Sequence, residues 1–300
     1  MSLVSFVKVR RNAPESIRSS ILESLDLVGY RFSKEVKNVV IKPNLCYYWD
    51  RSTGQTTDPD FIASLVSLLR QRISPNVDVS IVESDASAMK CKHVFKMLGY
   101  EKLSRDQNVR LVNLSEDDYS PLKVTVDGHV FTIMVPETIR KAELKINVPK
   151  IKYMRDPMFL TCALKNVYGC NPYARKSKLH ADIERAIVGL NKAMGFNLCI
   201  VDGISVSGTQ PRMLGLVMAS EDPVAVDVAA ARIAGLNPSR IKYIKVAASE
   251  GLGSSSFVEK GSPMRYFSAR YPKRTVRDKV MSTAYRLMTL TRMSRRIGLE

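Results

Sequence analysis

Short apolar runs alternate with longer amphipathic stretches along most of this chain. The runs VKNVVIKPN (36–44) and VDVSIVESD (77–85) predict strands, and PDFIASLVSLLRQRI between them predicts a helix that begins near Asp58 and Pro59. Further strands are predicted at 109–115, 143–150, 197–205 and 214–220, and further helices at 92–100, 182–194 and 222–235. Because continuous apolar strands alternate with helices, the pattern predicts an α/β fold with a mostly parallel sheet and helices on both faces.

Two segments depart from this alternation. Residues 122–136, LKVTVDGHVFTIMVP, alternate apolar and polar positions and turn at Asp127 and Gly128, which predicts an inserted antiparallel β-hairpin. Residues 260–300 hold eleven Lys and Arg against two carboxylates, and apolar positions recur at helical spacing from Thr275 onward. We therefore expect an α/β domain over 1–260 and a basic amphipathic C-terminal helical tail over 261–300.

The composition is that of a basic globular protein. The 300 residues are 45% hydrophobic, which is enough for a sizeable core, and the net charge is +17. The N-terminal sequence MSLVSFVKVRRNAPES lacks the continuous apolar stretch of a signal peptide, and the sequence has no 18-residue apolar run. These features predict a cytoplasmic protein, and the basic tail leaves peripheral membrane association open.

Three partners are open for the basic tail. It caps the protein's own core or joins a homo-oligomer, it lies on an anionic membrane surface, or it contacts nucleic acid. Packing on the protein itself is favoured, because the apolar side of the helix has ordinary core composition. Nucleic acid is disfavoured, because the sequence has no RNA-binding signature with interleaved aromatic residues.

The cysteine spacing bears on cofactors. The five cysteines are Cys46, Cys91, Cys162, Cys170 and Cys199, and none of them forms a CxxC pair. Ferredoxin-type clusters need closely spaced thiolates, so the spacing disfavours an iron–sulfur cluster and leaves the cofactor unknown. Cys162 and Cys170 flank the ALKN sequence, which keeps a metal or redox role open beside the favoured interpretation as structural thiols.

Polar side chains follow several apolar strands at the point where each strand ends. They are Lys42 and Asn44, Glu83 and Asp85, Lys150 and Lys152, and Asp202. In open α/β sheets, ligands bind at the carboxyl ends of the strands, so these side chains are expected to converge there. Each also has a structural interpretation: Lys42 as an exposed strand end, for example, or Asp202 as a turn former.

Residues 144–180 carry eight cationic side chains against one carboxylate, Asp156. Unpaired ammonium groups are costly to bury, so this density favours an anion site, with a solvated basic loop as the alternative. Lys165 lies in otherwise apolar sequence, Asn166 follows it, and His180 closes the segment.

These positions are assigned roles in an anion site. The substrate-binding residues are predicted to be Lys42, Asn44, Lys150, Lys152 and Asn166, which neutralise or orient the anion. The catalytic residues are predicted to be Lys165, His180 and Asp202, with His180 as the general acid or base and Asp202 as its partner in proton transfer.

Other carboxylates and glycines have structural explanations. Asp58 and Asp222 each precede a proline and are predicted helix N-caps. Asp227 falls inside an apolar helix and is predicted to be either a surface residue or a buried carboxylate with a cationic partner. Gly251 is predicted to end a helix, because the glycine-serine loop that it opens lacks the lysine of a phosphate-binding P-loop.

Several of these motifs occur together in a recognisable order. VVIKPNL (39–45), TDP (57–59), INVPKIK (146–152), TCALKNVYG (161–169), His180, IVDGI (200–204) and ASEDPVAVD (219–227) resemble the motifs of the family DUF362. The resemblance runs from about Val39 to Gly253 and implies a shared fold and a shared site, without a settled reaction.

The chain also departs from the family's pattern. Members of the family often carry an appended ferredoxin-like iron–sulfur module, and this sequence departs from that pattern. Tyr153 and Met154 stand where the family usually has a second histidine, and residues 207–211 replace an EGxGP-like loop. Both changes remove polar groups from the region of the predicted site.

Two classes of function follow from these observations. The first is an enzyme acting on a phosphate- or carboxylate-bearing small molecule in a cationic pocket at the strand ends. A distant similarity of layout to nickel-pincer lactate racemases implies a version of this site with a phosphate-bearing cofactor. The alternative is a non-catalytic binding or electron-transfer partner whose surface docks an acidic macromolecule or an iron–sulfur cluster, including at a membrane surface.

Overall fold

The structure is a computed structural model that describes residues 1–10, 12–45, 47–153, 160–174, 182–208 and 210–272. Its strands are β1 (Ser2–Lys8), β2 (Asn38–Pro43), β3 (Asp78–Glu83), β4 (Arg110–Asn113), β5 (Tyr119–Val126), β6 (His129–Pro136), β7 (Leu144–Val148), β8 (Lys152–Tyr153), β9 (Leu160–Thr161), β10 (Leu198–Val206), β11 (Arg212–Ser220) and β12 (Phe257–Gly261). Its α-helices are α1 (Pro14–Leu27), α2 (Pro59–Arg72), α3 (Cys91–Met97), α4 (Tyr100–Gln107), α5 (Glu137–Lys141), α6 (Ala163–Val167), α7 (Ile183–Met194), α8 (Pro223–Ile233), α9 (Lys242–Ser249) and α10 (Met264–Ser268).

Eight of the strands form one twisted sheet in the order β12-β1-β11-β10-β7-β2-β3-β4. The run from β10 to β4 is parallel throughout, and β12 is parallel to β1. Within this sheet of described strands, only β11 runs against its neighbours, because it follows β10 directly through a short connection and pairs with both β10 and β1. The predicted α/β class with a mostly parallel sheet is confirmed.

Helices cover both faces of this sheet, as the apolar strands require. Side chains alternate along a strand, so Val39 and Ile41 pack with α1, α2, α3 and α4 on one face. Val40 between them packs on the other face, where α6, α7, α8, α9 and α10 lie. Two apolar layers therefore fix the sheet between them and leave its carboxyl edge for polar groups.

The predicted helix caps form. The Asp58 carboxylate accepts a hydrogen bond from the Asp60 N–H at the start of α2, and Asp222 accepts one from the Ala225 N–H at the start of α8. Gly251 follows α9 with φ +76°, the left-handed conformation of a helix C-terminus. All three assignments from the sequence are confirmed.

The predicted hairpin is β5 and β6, paired in antiparallel register from Tyr119–Pro136 to Val126–His129. Asp127 and Gly128 both have positive φ, +49° and +75°, which matches the tight turn that a two-residue hairpin uses. Val126, Ile133 and Val135 are buried on the side that packs against α7. The hairpin therefore adds to the helical layer and stays outside the main sheet.

The two ends of the described chain meet on one edge of the sheet. β1 pairs with β12, and the α10 residue Phe267 and the following Tyr271 are buried in the core. Residues 261–272 therefore pack on the α/β body, and the predicted tail helix from Thr275 lies outside the described residues. No helix in the described part of the chain is long and apolar enough to cross a membrane.

Candidate functional site

The polar residues predicted at the strand ends come from neighbouring strands. β10, β7, β2 and β3 are adjacent in the sheet. Lys150 and Lys152 follow β7, Lys42 and Asn44 lie at and after the end of β2, and Glu83 ends β3. Asp202 differs from the prediction: it lies in the middle of β10, where that strand extends past the end of β7 and the Asp202 N–H donates to the Pro149 carbonyl. Parallel strands bring their carboxyl ends to one edge, so residues that are distant in sequence become close in space. What each side chain does there depends on its partner.

The TDP motif ties two strand ends together. The Thr57 hydroxyl accepts a hydrogen bond from the Asn44 N–H at 2.8 Å and donates one to the Val148 carbonyl at 3.0 Å. The next N–H, that of Asp58, donates to the Asp202 carboxylate at 3.0 Å. Burial, together with the charge of Asp202, raises the pKa of Asp58. The motif is therefore a brace between β2, β7 and β10.

A chain of side-chain amides holds the ALKN helix α6 against the sheet. Asn44 Nδ2 donates to Asn166 Oδ1 at 2.8 Å, and Asn166 Nδ2 donates to Asn147 Oδ1 at 2.7 Å and to the Lys42 carbonyl at 3.1 Å. Asn147 Nδ2 in turn donates to the Ala163 carbonyl at 2.8 Å. Because each amide orients the next, the side chains of Asn44 and Asn166 are held in defined orientations.

Lys42 lies in a closed ion pair. Its ammonium donates to Glu83 at 2.8 Å and to the Pro43 carbonyl at 2.7 Å, and both charged side chains are almost fully buried. Gly169 covers the pair: a Cβ at that position would lie 3.0 Å from Lys42 Nζ and 3.0 Å from a Glu83 oxygen. The exposed strand end considered for Lys42 is wrong, because the strand end is buried beneath α6 and the turn that follows it.

Lys150 lies in a second closed ion pair, with Asp202. The two side chains are 1% exposed and 3.0 Å apart. Asp202 also accepts from the N–H groups of Asp58 and Ile204, so its carboxylate is engaged on several sides. The structure thus brings the predicted proton-transfer residue Asp202 together with the predicted anion-binding residue Lys150.

Lys152 differs from both of these lysines. It is buried, with 6% of the residue exposed, and its ammonium donates to the amide oxygen of Asn44 at 2.9 Å. Among the described residues, no carboxylate lies within ion-pair distance of it. Lys152 is thus a buried cation whose observed partner is neutral.

Some of these groups line a cleft of about 440 Å³, called here the lysine cleft, whereas Lys150 and Asp202 are not part of its lining. Its polar lining comprises Lys42, Asn44, Gln55, Glu83, Lys152, Thr161, Lys165 and Asn166. Its apolar lining includes Leu45, Tyr47, Trp49, Met89 and Tyr168. Lys165 is half-buried, and its ammonium lies 4.5 Å from the centre of the Tyr168 ring. Five predicted site residues (Lys42, Asn44, Lys152, Lys165 and Asn166) line this cleft, and His180 lies outside the described residues.

Asp227 corrects one expectation. It is fully buried in α8, and one carboxylate oxygen accepts a 2.6 Å hydrogen bond from the Ala163 N–H at the start of α6. Its other oxygen, Oδ2, is buried with no hydrogen-bond partner in the described part of the chain. Burial raises the pKa of Asp227 to about 7. The expectation that a buried Asp227 has a cationic partner is wrong, because in the described part of the chain a backbone N–H occupies that place.

The cysteines near α6 are buried thiols. Burial and the charge of Asp227 raise the pKa of Cys162 well above its usual range and raise that of Cys199 as well. A thiol with a raised pKa is a poor metal ligand, since thiolate is the binding form. No cluster of three or more potential metal-binding side chains occurs among the described residues.

Sequence reasoning missed the aromatic residues of the cleft. Tyr47 and Trp49 line it and are 46% and 44% exposed, with ring centroids 5.4 Å apart. The consecutive aromatic residues YYW, directly after a strand end that carries Lys42 and Asn44, are the signal that could have pointed to them. Glu83 was predicted at a strand end, but the sequence pattern could not predict that it pairs with Lys42.

This chain is similar to a protein of known sequence, to a solved structure and to a family profile. A relative in Synechocystis sp., the thylakoid-associated protein sll1697, is 26% identical over 249 residues, which cover 78% of this chain and 73% of that protein. Among solved structures, the lactate racemase apoprotein from Thermoanaerobacterium thermosaccharolyticum aligns with a TM-score of 0.47 and 14% identity, and the alignment covers 79% of this chain and 58% of that chain. The family profile described as a domain of unknown function, DUF362, matches residues 39–232. The chain belongs to this family, as its motifs indicate.

Proposed function

We propose that this member of the DUF362 family binds a small molecule with a phosphate or carboxylate group in the lysine cleft and acts on it as an enzyme. The observation that carries the proposal is Lys152, whose buried ammonium donates to a neutral amide oxygen. An ammonium has three donors, and burying it is costly without a compensating anion. A ligand anion at the cleft wall supplies that compensation.

The remaining lining residues fit this proposal in different ways. Lys42 is neutralised by Glu83, whereas Lys152 donates to the neutral amide oxygen of Asn44. Asn44 gives one Nδ2 hydrogen to Asn166 and can offer the other to an anion with little loss of side-chain freedom. Both Nδ2 hydrogens of Asn166 go to Asn147 and the Lys42 carbonyl, so Asn166 acts by holding Asn44 in place. Lys150 and Asp202 act indirectly, since their pair fixes the strand end from which Lys152 projects.

In the enzyme version of the proposal, protons move through Lys165 and His180. Lys165 lines the cleft beside the Tyr168 ring, and His180 is the only histidine within the family motifs of this sequence. A cation next to an oxyanion lowers the energy of the negative charge that develops during acyl or phosphoryl chemistry. The same groups in a non-catalytic protein would simply hold the ligand.

The test of binding is calorimetric titration of the full chain with inorganic phosphate and with acetate. Lys152→Met should weaken phosphate binding about 10- to 100-fold, because a charge-assisted contact is lost. The matched control is Lys145→Met, which removes a half-buried ammonium from the amino end of β7. Lys145 also donates to a neutral carbonyl, that of Met194 at 3.0 Å, and does not line the cleft.

Two results would reject the binding proposal. One is the absence of phosphate and acetate binding by the full chain, and the other is equal affinity in the Lys152→Met and unsubstituted proteins. Native mass spectrometry then separates enzyme from binding protein. A co-purifying anionic molecule whose mass or stereochemistry changes on incubation at working temperature indicates catalysis, whereas a ligand that keeps both indicates binding alone.

A second candidate role, at a membrane surface, is favoured by the name of the thylakoid-associated relative and by the basic composition of residues 273–300. Each basic residue near an anionic surface contributes about 1 kcal/mol of attraction. Sedimentation with vesicles of phosphatidylserine and phosphatidylcholine should be compared for the full chain and a chain ending at Pro272. That truncation spares the buried Phe267 and Tyr271. Equal sedimentation of both chains would reject the surface role of the tail.

A further inference from the structure

We infer that the ligand of the lysine cleft carries an aromatic ring beside its anionic group, and that this ring stacks on Tyr47 and Trp49. The inference rests on the proposed function, because it adds a second part to the same ligand. The lining of the lysine cleft combines two kinds of group, the lysines and amides and the exposed aromatic residues Tyr47 and Trp49.

The size of the cleft is the first argument. A volume of about 440 Å³ lies within the range of about 300–1,000 Å³ that is typical of small-molecule sites. A phosphate or carboxylate alone would contact the lysines and leave the rest of the cleft without a partner. Small-molecule sites of this size bind ligands with a substantial apolar part, oriented by a few polar groups.

The exposure of the two rings is the second argument. Tyr47 and Trp49 lie directly after the strand end that carries Lys42 and Asn44, and nearly half of each residue is exposed. Their rings are tilted by 55°, so they do not cover one another face to face. Open aromatic faces next to cationic groups favour a planar ring that bears negative charge.

The loop that carries the rings is anchored, which is the third argument. The Trp49 carbonyl accepts a hydrogen bond from the Thr56 hydroxyl at 2.6 Å, and the neighbouring Tyr48 hydroxyl accepts one from the Lys90 N–H at 3.1 Å. Gly54 has φ +68° and lies so close to β10 that a Cβ would be 2.2 Å from the Val206 carbonyl carbon. A site whose rings are held in advance loses less entropy on binding.

Tyr47 itself has an unusual backbone. Its φ is +53°, a left-handed conformation that bulky residues rarely adopt. Such outliers persist where the surroundings enforce them, and they cluster at ligand sites. The left-handed conformation of Tyr47 places its side chain at the cleft, directly before the anchored residues Tyr48 and Trp49.

The experiment uses three probes with the full chain: inorganic phosphate, phenyl phosphate and cyclohexyl phosphate. The two organic probes share an anion and a six-carbon ring, and one ring is planar and aromatic. Phenyl phosphate should bind about 3- to 10-fold more tightly than cyclohexyl phosphate, the size of an aromatic pairing contribution. Trp49 is the only tryptophan in the chain, so its fluorescence should change with phenyl phosphate and report on this loop directly.

The variants assign the preference to the two rings. In Tyr47→Ala/Trp49→Ala the preference for phenyl phosphate should disappear, while Tyr47→Phe/Trp49→Phe should keep it. Tyr119→Ala is the matched control, because Tyr119 is 42% exposed and pairs with another aromatic ring, Tyr173, away from the cleft. Both rings of the cleft are exposed, so we expect the alanine variant to keep the unsubstituted melting temperature.

The outcomes separate this inference from the function on which it rests. Equal affinity for phenyl and cyclohexyl phosphate, with phosphate binding still sensitive to Lys152→Met, overturns the aromatic ligand and leaves the anion site in place. A preference that survives in the double alanine variant also overturns it. Failure of all three probes to bind the unsubstituted protein rejects the anion site, and with it the inference.

Discussion

Lys150 and Lys152 are separated by one residue and are both buried, yet their surroundings differ in kind. Lys150 meets the Asp202 carboxylate at 3.0 Å in a closed pair, whereas Lys152 meets the amide oxygen of Asn44 at 2.9 Å and lines the cleft. Counting positive charges would treat the two alike. A cation is therefore a candidate for ligand binding when no neighbouring group compensates its charge.

Asp227 is the counterpart of Lys152 with the opposite charge. It is a buried carboxylate that accepts a hydrogen bond from the Ala163 N–H, and burial raises its pKa to about 7. A buried acid without a cation is compensated when it takes up a proton, and a buried ammonium is compensated when an anion binds beside it. Both groups are tied to α6, since Ala163 begins this helix and the Asn44 partner of Lys152 also donates to Asn166.

The largest expected effect is on the closed pair. Lys150→Met leaves Asp202 buried without its cation, which should lower the free energy of unfolding by about 3–5 kcal/mol. Denaturant unfolding, followed by circular dichroism, measures the change. If Lys150→Met is as stable as the unsubstituted protein, the Lys150–Asp202 pair is not closed in solution, and the comparison with Lys152 fails.

The next effect concerns pH. The pKa of Asp227 is higher in the folded state, about 7, than in the unfolded state, 3.8, so the folded protein holds the additional proton between about pH 4 and 7. Its stability contribution is present below the unfolded value and is lost as pH rises through 7, by about 4 kcal/mol at most.

The variant that isolates this effect is Asp227→Asn, which retains an oxygen for the Ala163 N–H and does not titrate. The stability difference between Asp227→Asn and the unsubstituted protein should change in favour of the variant from pH 4 to pH 8. Unfolding measured across this range provides the test. A difference that does not vary with pH would mean that Asp227 has an ordinary pKa.

A smaller effect is expected where Gly169 covers the pair of Lys42 and Glu83. Gly169→Ala places a Cβ 3.0 Å from Lys42 Nζ, which should cost about 1–3 kcal/mol by overpacking. Gly189→Ala in α7 is the control: its Cβ meets Val124 at an ordinary 3.4 Å, and alanine favours the helix. Equal thermal stability of the two variants would show that the turn at Gly169 shifts to accommodate the Cβ without disturbing the pair of Lys42 and Glu83.

The smallest change in stability is expected for Lys152→Met, in contrast with its large effect on affinity. Removing the ammonium relieves its desolvation but leaves Asn44 Oδ1 without its donor, so we expect a net change below about 1 kcal/mol. The measurement is thermal unfolding of Lys152→Met and of Lys150→Met without added ligand. A loss as large as that of Lys150→Met would make Lys152 a structural residue.

Much of the fold could be predicted from the sequence because it depends on local signals. Signals within a few residues are enough to produce the apolar strands β2 and β3, the helix caps at Asp58 and Asp222, and the tight turn at Asp127 and Gly128. The strand ends also follow from the pattern, since parallel strands place their polar followers at one edge. The α/β class and the grouping of lysines and asparagines at this edge could therefore be predicted from the sequence alone.

The partners of those residues were decided only by tertiary structure. Lys42, Lys150 and Lys152 look alike in sequence, and whether each meets Glu83, Asp202 or Asn44 depends on strands that are distant in the chain. The backbone N–H that takes the place of a cation beside Asp227 and the position of Tyr47 and Trp49 at the cleft are likewise set by long-range packing. Charge compensation is a property of neighbours in space, and a sequence pattern contains only neighbours along the chain.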